Sequence, residues 1–124
     1  MNIKRYKISY DWSFDMVVEI DHDIMTDEKL HEINNFWSDA EERYERADDN
    51  IIKAVLMMLA AKAFGMTFSH WDVAGAFDWK KGRGEEGWPS MDGSDGIKIV
   101  YIDDIEFDTE NFSFKEITEQ KGAA

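Results

Sequence analysis

The sequence predicts an α+β domain: an antiparallel sheet of three to four strands packed against an αα-hairpin, with a glycine-rich loop at one end. Three observations predict it. The first twenty residues alternate apolar and polar side chains, residues 26–64 carry apolar positions at helical spacing, and a β-rich run returns at Ile97–Ile102. Strands, then helices, then strands is the order of a segregated α+β layer fold. A chain of 124 residues is the size of one domain. That domain is expected over residues 1–120, with Lys121 to Ala124 as a frayed tail. A hydrophobic fraction of 44%, with 5 Trp, 4 Tyr and 8 Phe, supports a core and is too high for a disordered acidic tail.

Tyr6, Ile8, Tyr10 and Trp12 share one parity, and Phe14, Met16, Val18 and Ile20 continue it. Side chains alternate faces along a strand, so both stretches have one apolar face. A hairpin turning at Ser13 would set Lys7 opposite Glu19 and Arg5 opposite Asp21, with Asp11 facing Asp15 beside the turn.

Thr26 is placed to cap a helix whose first turn carries Asp27 and Glu28, where the helix dipole favours anions. Leu30, Ile33, Trp37, Ala40, Tyr44 and Ala47 form its apolar stripe, extended by Phe36. Asp39–Arg43 and Glu42–Arg46 are (i, i+4) pairs on the opposite face. Asp48-Asp49-Asn50 ends the pattern and supplies a fresh cap. From Ile51 to Phe64 the chain is apolar nearly all round, broken by Lys53 and Lys62, with Gly65 at the expected C′ position. The run is shorter than the roughly 20 residues a bilayer requires, so a buried central helix is the expectation, not a membrane span.

Asp72 is placed to cap a short helix carrying Val73, Ala76, Phe77 and Trp79, which Gly75 weakens. Lys80 to Gly96 then holds five of the chain's 8 glycines and its one proline, Pro89. Loops of that length without structure of their own are usually functional or disordered. Ile97, Ile99, Val100, Tyr101 and Ile102 are apolar on both parities, which predicts a strand central in the sheet. Ile105, Phe107, Phe112, Phe114 and Ile117 suggest one more short strand or turn.

Chemistry-bearing patterns are few. With 0 Cys, disulfides, thiolate metal sites and thiol nucleophiles are excluded. Gly82-x-Gly84-x-x-Gly87 has the spacing of a dinucleotide fingerprint but lacks the preceding strand and following helix, and Glu85 and Glu86 would repel phosphate. Asp92-Gly93-Ser94-Asp95-Gly96 hints at a calcium loop, yet alignment on Gly96 puts Met91 and Ile102 where carboxylates are needed. An ordinary turn fits it better. His22, His31 and His70 have no metal spacing. No cofactor, metal or catalytic residue is expected.

A formal charge of −13 excludes a nucleic-acid binder that works by neutralising phosphate and disfavours anionic membrane surfaces. The N-terminus lacks the apolar run of a signal peptide, so a cytoplasmic protein is expected. Glu41, Glu45 and Asp49 form an (i, i+4, i+8) stripe with Asp48 beside it, a spacing that destabilises a helix by itself. Asp103, Asp104, Glu106, Asp108 and Glu110 make a second run. One interpretation is a solvated face that keeps the protein soluble. The other is a surface that steers a basic protein, of the kind that normally holds nucleic acid. Carboxylates one helical step of four apart stand about 6 Å apart, against about 3.4 Å per charge on a DNA strand. Mimicry of DNA would therefore need both runs on one surface.

Asp21-His22-Asp23, Ile33-Asn34-Asn35-Phe36-Trp37-Ser38-Asp39-Ala40-Glu41 and Glu85-Glu86-Gly87-Trp88, leading through Asp92-Gly93 to Gly96-Ile97, together resemble the uncharacterised domain-of-unknown-function family 2528 of bacteria and phages. The resemblance spans roughly residues 3 to 117. It implies a mobile-element setting and brings no activity, cofactor or catalytic residue.

The expected function is thus a non-enzymatic binding protein of phage or prophage type. Glu41, Glu45, Asp48, Asp49, Asp103 and Asp104 would steer a basic protein partner, with Trp88 either the apolar anchor or a ring tucked back to pin its own loop. The alternatives are a small enzyme or ligand-binding domain with a pocket under the Lys80–Gly96 loop, and a homo-oligomer such as a homodimer pairing its surplus apolar strand across a two-fold axis.

Overall fold

The computed structural model describes residues 2–117, so the tail expected at 121–124 lies outside the described residues. In chain order the elements are β1 (Ile3–Tyr10), β2 (Phe14–Asp21), α1 (Asp27–Phe36), α2 (Ala40–Arg46), α3 (Ile51–Met66), α4 (Val73–Ala76) and β3 (Ile97–Ile102). The class is α+β, a three-stranded antiparallel sheet with three main helices.

The hairpin forms, but its register is two residues from the expected one. Asp11 and Trp12 both take left-handed backbone (φ 53 and 63), and Ser13 N–H donates to Tyr10 O at 3.1 Å. This turn pairs Tyr10 with Phe14, so Arg5 faces Glu19 and Lys7 faces Val17, while Asp15 faces Ser9 rather than Asp11. A shift of two preserves the face each side chain occupies. Met16, Val18 and Ile20 are accordingly buried.

The strand order is β1-β2-β3, so β2 is central and β3 is an edge. The apolar content of β3 on both parities has a different cause from burial on two faces. A bulge opposite Val17/Val18 makes Val100 an extra residue, so Ile97 and Ile99 face the core, and Ile102, opposite Met16, faces it too. Residues of the glycine-rich loop run along β3's outer border, where Ile99 N–H donates to Met91 O at 3.2 Å and Gly93 N–H to Ile97 O at 3.0 Å. The strand is not free there to pair with a second copy. The outer border of β1, which carries Lys4, Arg5 and Lys7, is open.

One face of this sheet is covered by α3, whose Val55, Leu56, Leu59 and Ala63 are buried with Ile97, Ile99 and Phe77 in one core. Asn50 caps α3 by accepting Lys53 N–H at 3.1 Å. Gly65 lies inside the helix, which runs on to Met66 and ends at Thr67. Thr26 caps α1, which packs on α3.

The first helix expected from the apolar stripe is two helices. The chain breaks at Trp37-Ser38-Asp39, where Asp39 has φ 64. Arg43 does not pair with Asp39. Its guanidinium ties the break together, donating from Nε to Asn34 Oδ1 (2.6 Å), from Nη2 to Asn34 O (2.8 Å) and from Nη1 to Ser38 O (2.9 Å). Asn34 is only 1% exposed, and its amide donates to Ala40 O at 3.1 Å. A buried amide bonded through both its oxygen and its nitrogen makes this corner specific.

The aromatic segment after β3 forms no fourth strand. It holds one 3-10 turn at Thr109–Asn111, and Phe107, Phe112 and Phe114 are exposed.

Candidate functional site

The expected steering residues fall into two groups at opposite ends of α3. Glu41 and Glu45 are exposed on α2, which packs beside the N-terminal part of α3. The helix ends at Arg46, and Asp48 and Asp49 take left-handed backbone (φ 60 and 57), so Asp49 leaves the expected stripe. Asp48 pairs with Lys53 at 3.2 Å and Glu42 with Arg46 at 3.1 Å, so cations are interleaved at this end.

Asp103 and Asp104 lie beside the hairpin tip, next to the C-terminal end of α3, where the Tyr10 and Phe64 rings stand 6.5 Å apart. The sixteen residues of α3 separate the two groups by about 24 Å. They do not form one continuous field.

At the hairpin end, Asp103 serves mainly the fold. Its Oδ2 accepts Asp15 N–H at 2.8 Å, its own N–H donates to Asp15 O at 2.9 Å, and the Tyr101 hydroxyl donates to Oδ1. The Tyr101 bond, then the Asp15 amide, holds the Asp103 carboxyl below the usual carboxylate range and pushes the Tyr101 phenol up. Among the described residues, no cation pairs with Asp103, Asp104, Glu106, Asp108 or Glu110. Exposed aromatics adjoin them. Phe68 stacks on Phe107 at 5.7 Å, Phe107 meets Phe112 at 6.2 Å, and an apolar groove from Ile8 and Tyr10 to Phe68 and Ile105 runs between β1 and α3. Trp12, at the hairpin tip, is 97% exposed.

Trp88 is not an exposed anchor. It is 5% exposed and points inward, its ring 6.4 Å from that of Trp37. The loop is held by its own contacts. Trp79 Nε1 donates to Trp88 O at 2.7 Å, Trp79 N–H to Ser90 Oγ at 3.1 Å, and Lys62 pairs with Glu85 at 2.8 Å. Two of the three fingerprint glycines have packing roles, while Gly82 (φ 76) has open space around it and ends the turn at Trp79–Lys81. A Cβ on Gly84 would stand 2.3 Å from the Trp79 ring, and one on Gly87 2.4 Å from the Trp37 ring. Between the loop and α1 lies a solvent-open slot of about 510 Å³, walled by Phe36, Trp79 and Pro89 and rimmed by Lys29, Glu32 and Asp95. Trp37 Nε1 is buried nearby and, among the described residues, has no partner.

Other sequence features resolve into local structure. Asp92 Oδ1 accepts from Ser94 N–H (2.9 Å) and Ser94 Oγ (2.6 Å), a turn that lowers its pKa. The histidines do not converge: Tyr6 bonds His22 at 2.8 Å, His31 meets the Tyr44 ring, and His70 bonds Ser69. Among the described residues, no cluster of three or more His, Asp or Glu could hold a metal ion, and no helix is long and apolar enough to cross a membrane.

The exposed aromatics were missed because their types read as core. Trp12 shares the parity of the apolar face, but its neighbours Asp11 and Ser13 are turn formers.

Comparison with known proteins gives relatives of the same length class. Protein ea10 of Escherichia phage lambda is 49% identical over 119 residues, covering 92% of this chain and 97% of the relative. The lambda prophage-derived protein ea10 of Escherichia coli O6:H1 (strain CFT073) matches to the same extent. No solved structure matches the chain. The family model described as "Protein of unknown function (DUF2528)" covers residues 15–114, and the chain belongs to that family.

Proposed function

We propose that this ea10-like protein is a non-enzymatic protein-binding module that engages a basic protein of the host. One observation carries the reading: at the hairpin end, carboxylates that meet no cation among the described residues border a run of exposed aromatic rings. Aromatic side chains supply binding energy at an interface, while charge sets encounter rate and partner choice. Asp104, Glu106 and Asp108 with Tyr10, Phe68 and Phe107 make the contact surface. Glu41, Glu45, Asp48 and Asp49, some 24 Å away along α3, add long-range attraction without touching the same partner surface. Phage and prophage relatives fit a protein that acts on host machinery. A partner that normally holds nucleic acid has the required charge.

The test is affinity capture from nuclease-treated host lysate. Basic proteins should be enriched, capture should weaken as salt rises, and Asp104→Lys with Glu106→Lys and Asp108→Lys should abolish it. Capture indifferent to those three reversals, or dependent on intact nucleic acid, overturns the reading. The slot beneath the loop favours a second reading, a small-ligand binder. A thermal-shift screen with nucleotides and metabolites addresses it, since a ligand raises the melting temperature by mass action.

A further inference from the structure

The slot between α1 and the glycine-rich loop lies apart from the hairpin-end surface and has a chemistry of its own. Its two aromatic walls are half-exposed, Phe36 at 54% and Trp79 at 51%. Both are fixed before anything binds. Trp79 is tied by its indole N–H to Trp88 O at 2.7 Å, and Phe36 stands edge-on to Trp37 at 4.9 Å. Gly87 lets the loop lie against Phe36, where an added Cβ would come within 2.6 Å of that ring. Preformed, partly desolvated aromatic faces attract planar cations.

The rim adds charge. Glu32 and Asp95 both line the slot, against a single Lys29. Two carboxylates facing one ammonium leave a net negative rim on a chain that is itself at −13. A guanidinium satisfies both features at once, because it stacks flat on aromatic faces and forks toward carboxylates, which an ammonium cannot do. The slot is also open to solvent, whereas a free small ligand is ordinarily buried over most of its surface. An open mouth suits a side chain projecting from a larger molecule.

We propose that this slot receives an arginine side chain presented by the basic protein partner, its guanidinium stacked on Trp79 and Phe36 and paired with Glu32 and Asp95. The inference rests on the basic-partner reading and gives that partner a second point of attachment, recognised by chemistry and not by net charge alone.

The test titrates N-acetyl-arginine N-methylamide into the full chain while the Trp79 indole N–H signal is followed by NMR. A saturable shift is expected, with the lysine analogue binding at least about fivefold more weakly and the leucine analogue not at all. Glu32→Lys, on an exposed turn of α1, should abolish the shift with the melting temperature unchanged. Phe36→Ala should weaken it at least about fivefold. The proposal is overturned by no saturable shift, by equal response to the leucine analogue, by stronger response to a nucleoside monophosphate, or by an undiminished response in Glu32→Lys. Lysate capture separates the two ideas. Basic proteins retained by Glu32→Lys as well as by the unaltered chain sink the slot alone, and no basic protein captured by either sinks the parent reading.

Discussion

Two long segments without regular strand or helix, residues 80–96 and 103–117, use opposite means. The first holds five glycines and a proline, a composition that suggests mobility, yet it buries Trp88, Ser90 and Met91 and is fixed by backbone bonds to α4 and β3. The second is rich in Phe and Ile, a composition that suggests core, yet it leaves Phe107, Phe112 and Phe114 in solvent. Order here follows from where apolar atoms find a complementary wall, not from how many a segment contains. Glycine allowed the first segment to approach Trp79 and Trp37 closely enough to gain such a wall.

The largest expected effect tests that contrast directly. Trp88→Ala removes a buried ring and should cost about 3–5 kcal/mol in chemical denaturation. Phe114→Ala, 95% exposed in the native chain, should change stability by less than about 0.5 kcal/mol. Equal effects would end the comparison. Next, Gly87→Ala should cost about 2 kcal/mol or more, because its φ of 86 and the adjacent Phe36 and Trp37 rings both resist a Cβ. Gly65→Ala should instead stabilise by about 0.5–1 kcal/mol, since that glycine lies within α3 with nothing within 4 Å.

The second segment is tied down at its start by Asp103, and this tie is pH-dependent. The carboxyl's folded pKa is lowered, so its contribution is present above the unfolded value of about 3.9 and lost as pH falls through the folded one. Asp103→Asn should flatten the acid limb of a stability-versus-pH curve below about pH 4. An unchanged limb would show that the Tyr101 and Asp15 bonds do not hold the segment. The smallest effect is ionic. Sodium chloride at about 0.2 M should raise the melting temperature by screening self-repulsion, and reversing Asp104 and Glu106 should reduce that rise more than reversing Glu42, which already has a cation.

Much of the fold was legible because hydrophobic periodicity and caps are local. Thr26, Asn50 and Asp72 each cap the helix expected of them, and the buried faces of β2 and α3 follow their parity and spacing. What was not legible depended on partners far away in the chain. The bulge in β3 disguised an edge strand as a central one, Arg43 chose Asn34 over Asp39, and a left-handed Asp39 split an apolar stripe that looked continuous. The candidate site was half legible. Both acidic runs were visible, but their separation along α3 was not, and the inward turn of Trp88 needed the Trp37 ring opposite it.

The borders of the sheet have one more consequence. A three-stranded sheet has two open sides, each a template on which a further chain could lay its backbone and seed a growing stack. On the β3 side the template is already occupied by Met91 and Gly93. On the β1 side, two copies laid strand to strand with their helix layers on the same side of the joined sheet would bring Lys4, Arg5 and Lys7 toward their own counterparts. Both flanks of the sheet are thereby guarded against fibril-like self-association.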